Sequence, residues 1–178
     1  TYMIQGYINS FCTYAKEIVK EVKSIENGSL LSTVFAWELE NETAIRTNEK
    51  PFSMTKGMVT TADGQTYNMA EPMQRQACMD NNILNWINHI CAAVKSVDPD
   101  AMVSASMFTY RAVGKKKPNG VLIKDSNDHR FPPRPWSLLN FSDLDYIDIH
   151  TYPIDDIVFT EKKEGPYSLY EDLCSSEY

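Results

Sequence analysis

The sequence is poor in the groups that hold metals and cofactors. Its 178 residues include only three histidines and four cysteines. His89 and His129 have no second ligand at metal-binding spacing, and Cys12, Cys78, Cys91 and Cys174 are too widely spread for a zinc site. No metal and no cofactor are therefore expected. Cys12 and Cys91 fall among apolar residues in helical patterns, where a free buried thiol is the ordinary state, and the cysteines leave the redox compartment open. Gly-x-Gly-x-x-Gly, Gly-Lys-Ser/Thr and Gly-x-Ser-x-Gly segments are all missing, which argues against dinucleotide, nucleoside triphosphate and serine-hydrolase chemistry. No apolar run reaches the roughly 18 residues that a membrane span needs, so no membrane association is expected. Basic residues are outnumbered, 17 against 24 acidic, for a net charge of −7. That balance disfavours nucleic-acid binding, and Lys115-Lys116-Lys117 reads as a solvated loop rather than a basic patch.

What is present is 43% hydrophobic and 23% charged, enough for one ordinary core without low-complexity tracts. A single domain over 1–178 is expected. Ile8, Phe11, Ala15, Ile18, Val19 and Val22 recur at helical spacing and predict an amphipathic helix ending near Asn27-Gly28. Leu30, Leu31, Val34, Phe35 and Trp37 then read as a largely buried strand running to about Leu39. A long polar stretch from Thr43 to about Met79 follows, with a hairpin expected around Asp63-Gly64. Ile83, Leu84, Ile87, Ile90, Cys91 and Val94 mark a second helix, stopped by Asp98-Pro99. A strand from Ala101 to Phe108, a Pro-rich loop carrying Trp136, a strand from Tyr146 to His150 and a helix over Tyr167 to Cys174 complete the reading. Helix and strand alternate as in a parallel α/β sheet.

The segment Phe35-Ala36-Trp37-Glu38-Leu39-Glu40-Asn41-Glu42 concentrates the chemistry. Glu38, Glu40 and Glu42 share strand parity, and three like charges together in a core would be costly. At least one must sit at the strand's mouth, where β/α barrels place catalytic groups. The other reading is a strand end dissolving into a solvated acidic loop.

Trp37-Glu38-Leu39-Glu40-Asn41-Glu42 resembles the Trp-Glu-Leu-x-Asn-Glu motif that ends the fourth barrel strand of cellulase-like and mannanase-like enzymes of glycoside hydrolase family 5 and its relatives. Two later segments fit in order. Lys95-Ser96-Val97-Asp98-Pro99 followed by Ala101-Met102-Val103-Ser104-Ala105 resembles the helix end and fifth strand, and Leu144 through Pro153 resembles the sixth.

The fold this resemblance implies is part of an eight-stranded β/α (TIM) barrel with parallel strands, strands four to six, whereas a complete barrel takes about 250 residues. It implies a retaining glycoside hydrolase acting on a β-linked polysaccharide or oligosaccharide. Such enzymes hold two carboxyl groups about 5 Å apart, one protonating the leaving oxygen and the other attacking the anomeric carbon. Glu42 is then the acid/base, and the nucleophile, carried by the family on its seventh strand, lies outside this sequence. Asn41 is expected to bond the sugar 2-hydroxyl, His150 and Tyr152 to face the substrate, and Trp136 to stack on a pyranose ring or pin its loop. Asp148 shares the parity of His150 and is expected to point inward onto an Arg or the His. Trp37 and Trp86 read as packing.

A second function class is a non-catalytic barrel fragment that binds carbohydrate or assembles with another chain through unpaired strand edges. Asn27-Gly28-Ser29, Asn140-Phe141-Ser142 and Asn41-Glu42-Thr43 fit the glycosylation pattern. The chain opens at Thr1 without a leader, which reads as processing or as a piece of something longer, and an extracellular location is expected over a cytoplasmic one.

Overall fold

In a computed structural model, which describes residues 2–115, 120–123 and 127–150, three parallel strands are backed by two long helices. Helix α1, Gln5–Ser24, buries Ile8 and Val19 and packs Phe11, Cys12 and Ala15 against the core. Tyr14 and Ile18 stay outside at 60% and 40% exposure. The helix stops where the sequence says it should. After Ser24, a tight turn takes Glu26 and Asn27 to φ of 48° and 56°, and Gly28 to 92°. Left-handed backbone cannot continue a right-handed helix.

The strand expected over Leu30 to Leu39 is shorter than its apolar run. Leu31–Thr33 winds into a 3₁₀ turn, and β1 comprises only Trp37–Glu38. Phe35 is 77% exposed. The cause is local hydroxyl chemistry: Ser32 Oγ donates to the Ser29 carbonyl at 2.6 Å and Thr33 Oγ1 to the Leu30 carbonyl at 2.7 Å. Such bonds offer the backbone an alternative to the ladder.

The long polar stretch is subdivided. Ile45–Arg46 forms β2, and Met58–Thr60 (β3) pairs antiparallel with Thr66–Asn68 (β4) around Asp63-Gly64, as expected. Helix α2 then begins at Pro72, earlier than the apolar pattern indicated, and runs to Lys95. Its first turns bury Arg75, Gln76, Asp80 and Asn82 beside Cys78 and Met79, so the face that packs inward is mixed and hydropathy alone does not register it. A proline in the first turn lacks only an N–H that would have no helical partner. Farther along, Trp86 is buried, its ring edge-on to Tyr2 at 5.3 Å and to Phe11 at 5.2 Å.

Val103–Phe108 (β5) is buried throughout and is the middle of the sheet, which runs β1-β5-β7 with β7 as Tyr146–His150. Trp37 pairs with Val103, and Ser104 through Phe108 pair with Tyr146 through His150, all parallel. Val103, Ala105, Met107, Ile147 and Ile149 join the helix-packed core, which leaves Glu38, Ser104, Ser106, Phe108, Tyr146, Asp148 and His150 on the opposite face. The protein is thus mixed α and β with a parallel three-stranded sheet, and the described residues do not close a barrel.

Two loops cross the strands' C-terminal ends. Arg130–Phe131 (β6) pairs antiparallel with β2, Ile45 opposite Phe131. Lys115 corrects the reading of its triplet as a solvated loop: it is buried, with Nζ donating to the Asp128 carbonyl at 2.8 Å and lying 5.6 Å from the Phe131 ring centre. A lysine enters a core when carbonyls and a ring face receive its ammonium. Lys116 and Lys117 lie outside the described residues. Helix α3, Pro135–Phe141, takes up Trp136, which was expected in a loop; Pro135 opens the helix as Pro72 opens α2. The helix expected over Tyr167 to Cys174 also lies outside the described residues.

Gly120 shows how closely the second loop approaches α2. Its φ is +91°, and a Cβ there would meet the Pro72 carbonyl carbon at 2.9 Å and Met73 N at 3.1 Å. Val121 N–H bonds the Pro72 carbonyl at 3.0 Å, so the loop cannot simply retreat. Gly120→Ala is expected to cost about 1–3 kcal/mol through overpacking and backbone strain. Urea titration checks this, and a midpoint equal to that of the parent would show that the loop accommodates the methyl group.

Candidate active site

Ser106 builds the turn that presents Glu42. Beyond β1 the chain keeps touching β5: Leu39 N–H donates to the Ser104 carbonyl at 2.8 Å, and Ser106 N–H to the Glu40 carbonyl at 3.1 Å. Ser106 Oγ then accepts the Glu42 N–H, and the Ser106 carbonyl accepts the Thr43 N–H, each at 2.8 Å. With these bonds made, Glu42 is held at φ +57°, left-handed backbone that a non-glycine residue adopts at a cost of roughly 1–2 kcal/mol. Such strain persists where surrounding bonds over-determine it. Ser106 was not singled out in the sequence; the signal was a small polar residue repeated in an otherwise apolar strand, Val103-Ser104-Ala105-Ser106-Met107.

The three glutamates separate as the parity argument requires. Glu38 is exposed on the strand. Glu40 is half-buried and accepts a 2.5 Å hydrogen bond from the Tyr2 hydroxyl. Burial pushes the Glu40 carboxyl above its usual range, and Tyr2's hydrogen bond works against that; burial and the Glu40 charge likewise push the Tyr2 phenol up. Glu42 stands at the strand mouth with its side chain 19% exposed.

Two loops and one strand meet at the Glu42 carboxyl. His150, the last residue of β7, places Nδ1 3.2 Å from Oε1. If Glu42 is ionised, Nδ1 must carry the proton that joins them. From β6, Arg130 Nη1 stands 3.7 Å from Oε2, and its guanidinium lies over the Phe108 ring, 4.8 Å from the centroid. The other edge of Arg130 grips Asp128: Nε lies 3.1 and 3.2 Å from the two carboxylate oxygens, and Nη2 lies 2.8 Å from Oδ2. Phe108 is also the register partner of His150 in the sheet, so the ring under the guanidinium belongs to the strand position paired with His150. Arg130, Asp128 and Phe108 escaped the sequence reading, because no spacing links a loop Asp-x-Arg pair to a motif far earlier in the chain.

The remaining expectations divide. Asn41 is exposed beside Glu42, and its side chain makes no hydrogen bond among the described residues. Tyr152 lies outside the described residues. Trp136 is not gathered to Glu42; it is 48% exposed on α3, its ring edge-on to Phe141 at 5.2 Å. Asp148, expected to pair inward, is exposed and forms no ion pair among the described residues. Among the described residues, no group of three or more His, Cys, Asp or Glu could hold a metal ion.

The hydrogen bonds that Arg130 donates hold the Asp128 carboxyl below the usual carboxylate range, although burial pushes it up. Asp128 in turn raises Arg130. A carboxylate with a depressed folded-state pKa adds stability above its unfolded value, about 3.9, and loses it as pH falls through the folded value. Asp128→Asn is therefore expected to cost on the order of 1 kcal/mol near neutral pH and nothing at about pH 2. Urea unfolding at several pH values checks this, and a constant difference across that range would mean that the pair is not electrostatic.

Chemically, a partly shielded carboxyl with an imidazole at one oxygen and a guanidinium near the other can give or take a proton. Asp128 is the other carboxylate of the cluster, and its engagement with Arg130 leaves it unsuited to attack. Among known protein families, curated proteins and solved structures, none matches this chain.

Proposed function

We propose that the chain is the middle part, strands four to six, of a β/α-barrel glycoside hydrolase that cleaves β-linked glycans with retention. Glu42 is the acid/base, and the nucleophile is supplied by sequence beyond these residues. The observation that carries this reading is the Glu42–His150 contact at 3.2 Å, between the ends of two parallel strands that flank a third. A carboxyl and an imidazole at the C-terminal rim of a parallel sheet stand where barrel enzymes do their chemistry. The Trp-Glu-Leu-x-Asn-Glu wording of residues 37–42 supplies the reaction class.

In the first half of the reaction the Glu42 carboxyl passes its proton to the leaving glycosidic oxygen, and in the second half the same group, now a carboxylate, takes a proton from the attacking water. His150 fixes the orientation of the carboxyl between the two steps. Asn41, exposed beside it, is free to meet the sugar 2-hydroxyl, and the substrate roles of Tyr152 and Trp136 belong to the same proposal. Substituting Glu42 by Gln tests the reading: hydrolysis of β-glucan or β-mannan should fall steeply while sugar binding persists, and unchanged hydrolysis would overturn it.

One observation favours a second reading, a chain that works only in assembly. Among the described residues both β1 and β7 are edge strands in a parallel sheet of three, and unpaired edges recruit partners. Concentration-dependent oligomers without hydrolysis would favour it.

A further inference from the structure

The arginine beside Glu42 does more than brace its loop. We propose that Arg130 is a positioning residue that competes with His150 for the Glu42 carboxylate, and that Asp128 sets the outcome by holding the opposite edge of the guanidinium. The geometry carries this. Arg130 approaches Oε2 only to 3.7 Å while it makes hydrogen-bond distances of 2.8–3.2 Å to Asp128. His150, by contrast, is within hydrogen-bond distance of Oε1 at 3.2 Å. The guanidinium cannot swing away, because it lies on Phe108 and its backbone is in the β2–β6 ladder, Arg46 opposite Arg130. The charge that Glu42 feels is therefore a divided one.

The ionisable neighbours come from each element around the site. His150 arrives from β7, Arg130 from β6, and Asp128 from the segment before β6. Glu40 precedes Glu42 but is turned onto Tyr2, and Lys115 reaches the Asp128 carbonyl rather than Glu42. Asp148 on β7 is exposed. With Oε2 steered toward Arg130 and Oε1 toward His150, the carboxyl plane is set, and a guanidinium held slightly too far to form a bond leaves Oε2 accessible to a reacting proton. That last step rests on the acid/base reading of Glu42; the competition itself does not.

The test is the Nδ1 proton resonance of His150 at neutral pH in the whole 178-residue chain, assigned by loss of the signal in His150→Gln. In Arg130→Met, Glu42 turns wholly to His150, so the resonance should move downfield and exchange more slowly. In Asp128→Asn, the released guanidinium closes on Glu42, and the resonance should move upfield and exchange faster. Arg130→Lys keeps the charge without the fork and should return the signal toward the parent position. An unmoved resonance in Arg130→Met, or the same direction of change in the Met and Asn variants, would reduce Arg130 to a loop brace. If Arg130→Met does not fold, the direction in Asp128→Asn decides alone. A competition seen in these spectra alongside undiminished hydrolysis by Glu42→Gln would sink the catalytic reading and leave this one standing.

Discussion

Glu42→Gln is expected to lower hydrolysis of a β-glucan or β-mannan by 10²–10⁴-fold, the range typical of a lost general acid/base, while sugar affinity stays close to that of the parent. Glutamine has the same shape, can accept a hydrogen bond from His150 through its carbonyl, and leaves the Ser106-held turn intact. What it cannot do is move a proton. The loss should therefore fall on kcat with KM little changed, the pattern of an interaction made only in the transition state. Leaving-group chemistry sharpens the test. An aryl glycoside whose phenol departs without protonation removes the need for the acid in the first half-reaction, so the deficit on that substrate should be concentrated in the second. An equal deficit on good and poor leaving groups would mean that Glu42 acts by holding the site together. Rescue by the carboxylate alone, in Glu42→Asp, is expected to be poor, because the shorter chain withdraws from His150 and Arg130 together.

The site was half legible in the sequence, and the legible half follows a physical pattern. Residues within one strand or one turn could be read: the Trp37 to Glu42 wording put a carboxyl at a strand mouth, and the parity of β7 put His150 at its last position. The residues that came from elsewhere could not. Arg130 reaches Glu42 because Ile45–Arg46 and Arg130–Phe131 zip together, a pairing between loops that leaves no period to detect. Lys115 was misread for a related reason: a run of three lysines looks solvated, and only the Asp128 carbonyl and the Phe131 ring, both from the far side of its loop, bring the first one inside. The fold shows the same divide. Hydropathy periods found α1, the end of α2, β5 and β7, each of which packs an apolar face. They missed the start of α2, where Arg75, Gln76, Asp80 and Asn82 are buried among Cys78 and Met79 and break the apolar period, and they overran β1, where serine and threonine hydroxyls tie the backbone into turns.

Asp80→Ala is expected to cost about 3 kcal/mol, the largest stability loss foreseen for a single side chain outside the apolar core. Asp80 is 2% exposed on α2. Arg134 Nε reaches its Oδ2 at 2.6 Å, the Arg134 backbone N–H reaches Oδ1 at 3.3 Å, and Gln76 Nε2 lies 3.1 and 3.2 Å from the two oxygens. Truncation strands three donors at once, and a buried donor without a partner costs about 1–3 kcal/mol. The figure stays near the lower end for a broken buried pair because the Arg134 side chain keeps 32% of its exposure and can rehydrate. Two comparisons separate charge from packing. Asp80→Asn retains the acceptor and should lose less than Asp80→Ala. Combining Asp80→Ala with Arg134→Met removes donor and acceptor together, so its loss should fall well short of the two single losses added, a coupling that a double-mutant cycle reads directly. Additive losses would mean that the pair contributes no interaction of its own. The pair also bears on chemistry, because Arg134 is the residue from which α3 starts and follows β6 closely, so α2 holds the segment that carries Arg130. Asp80→Ala should therefore disturb the Arg130–Glu42 spacing as well as the melting midpoint, and a variant that melts early yet leaves the His150 Nδ1 resonance unchanged would show that the clasp and the site are mechanically independent.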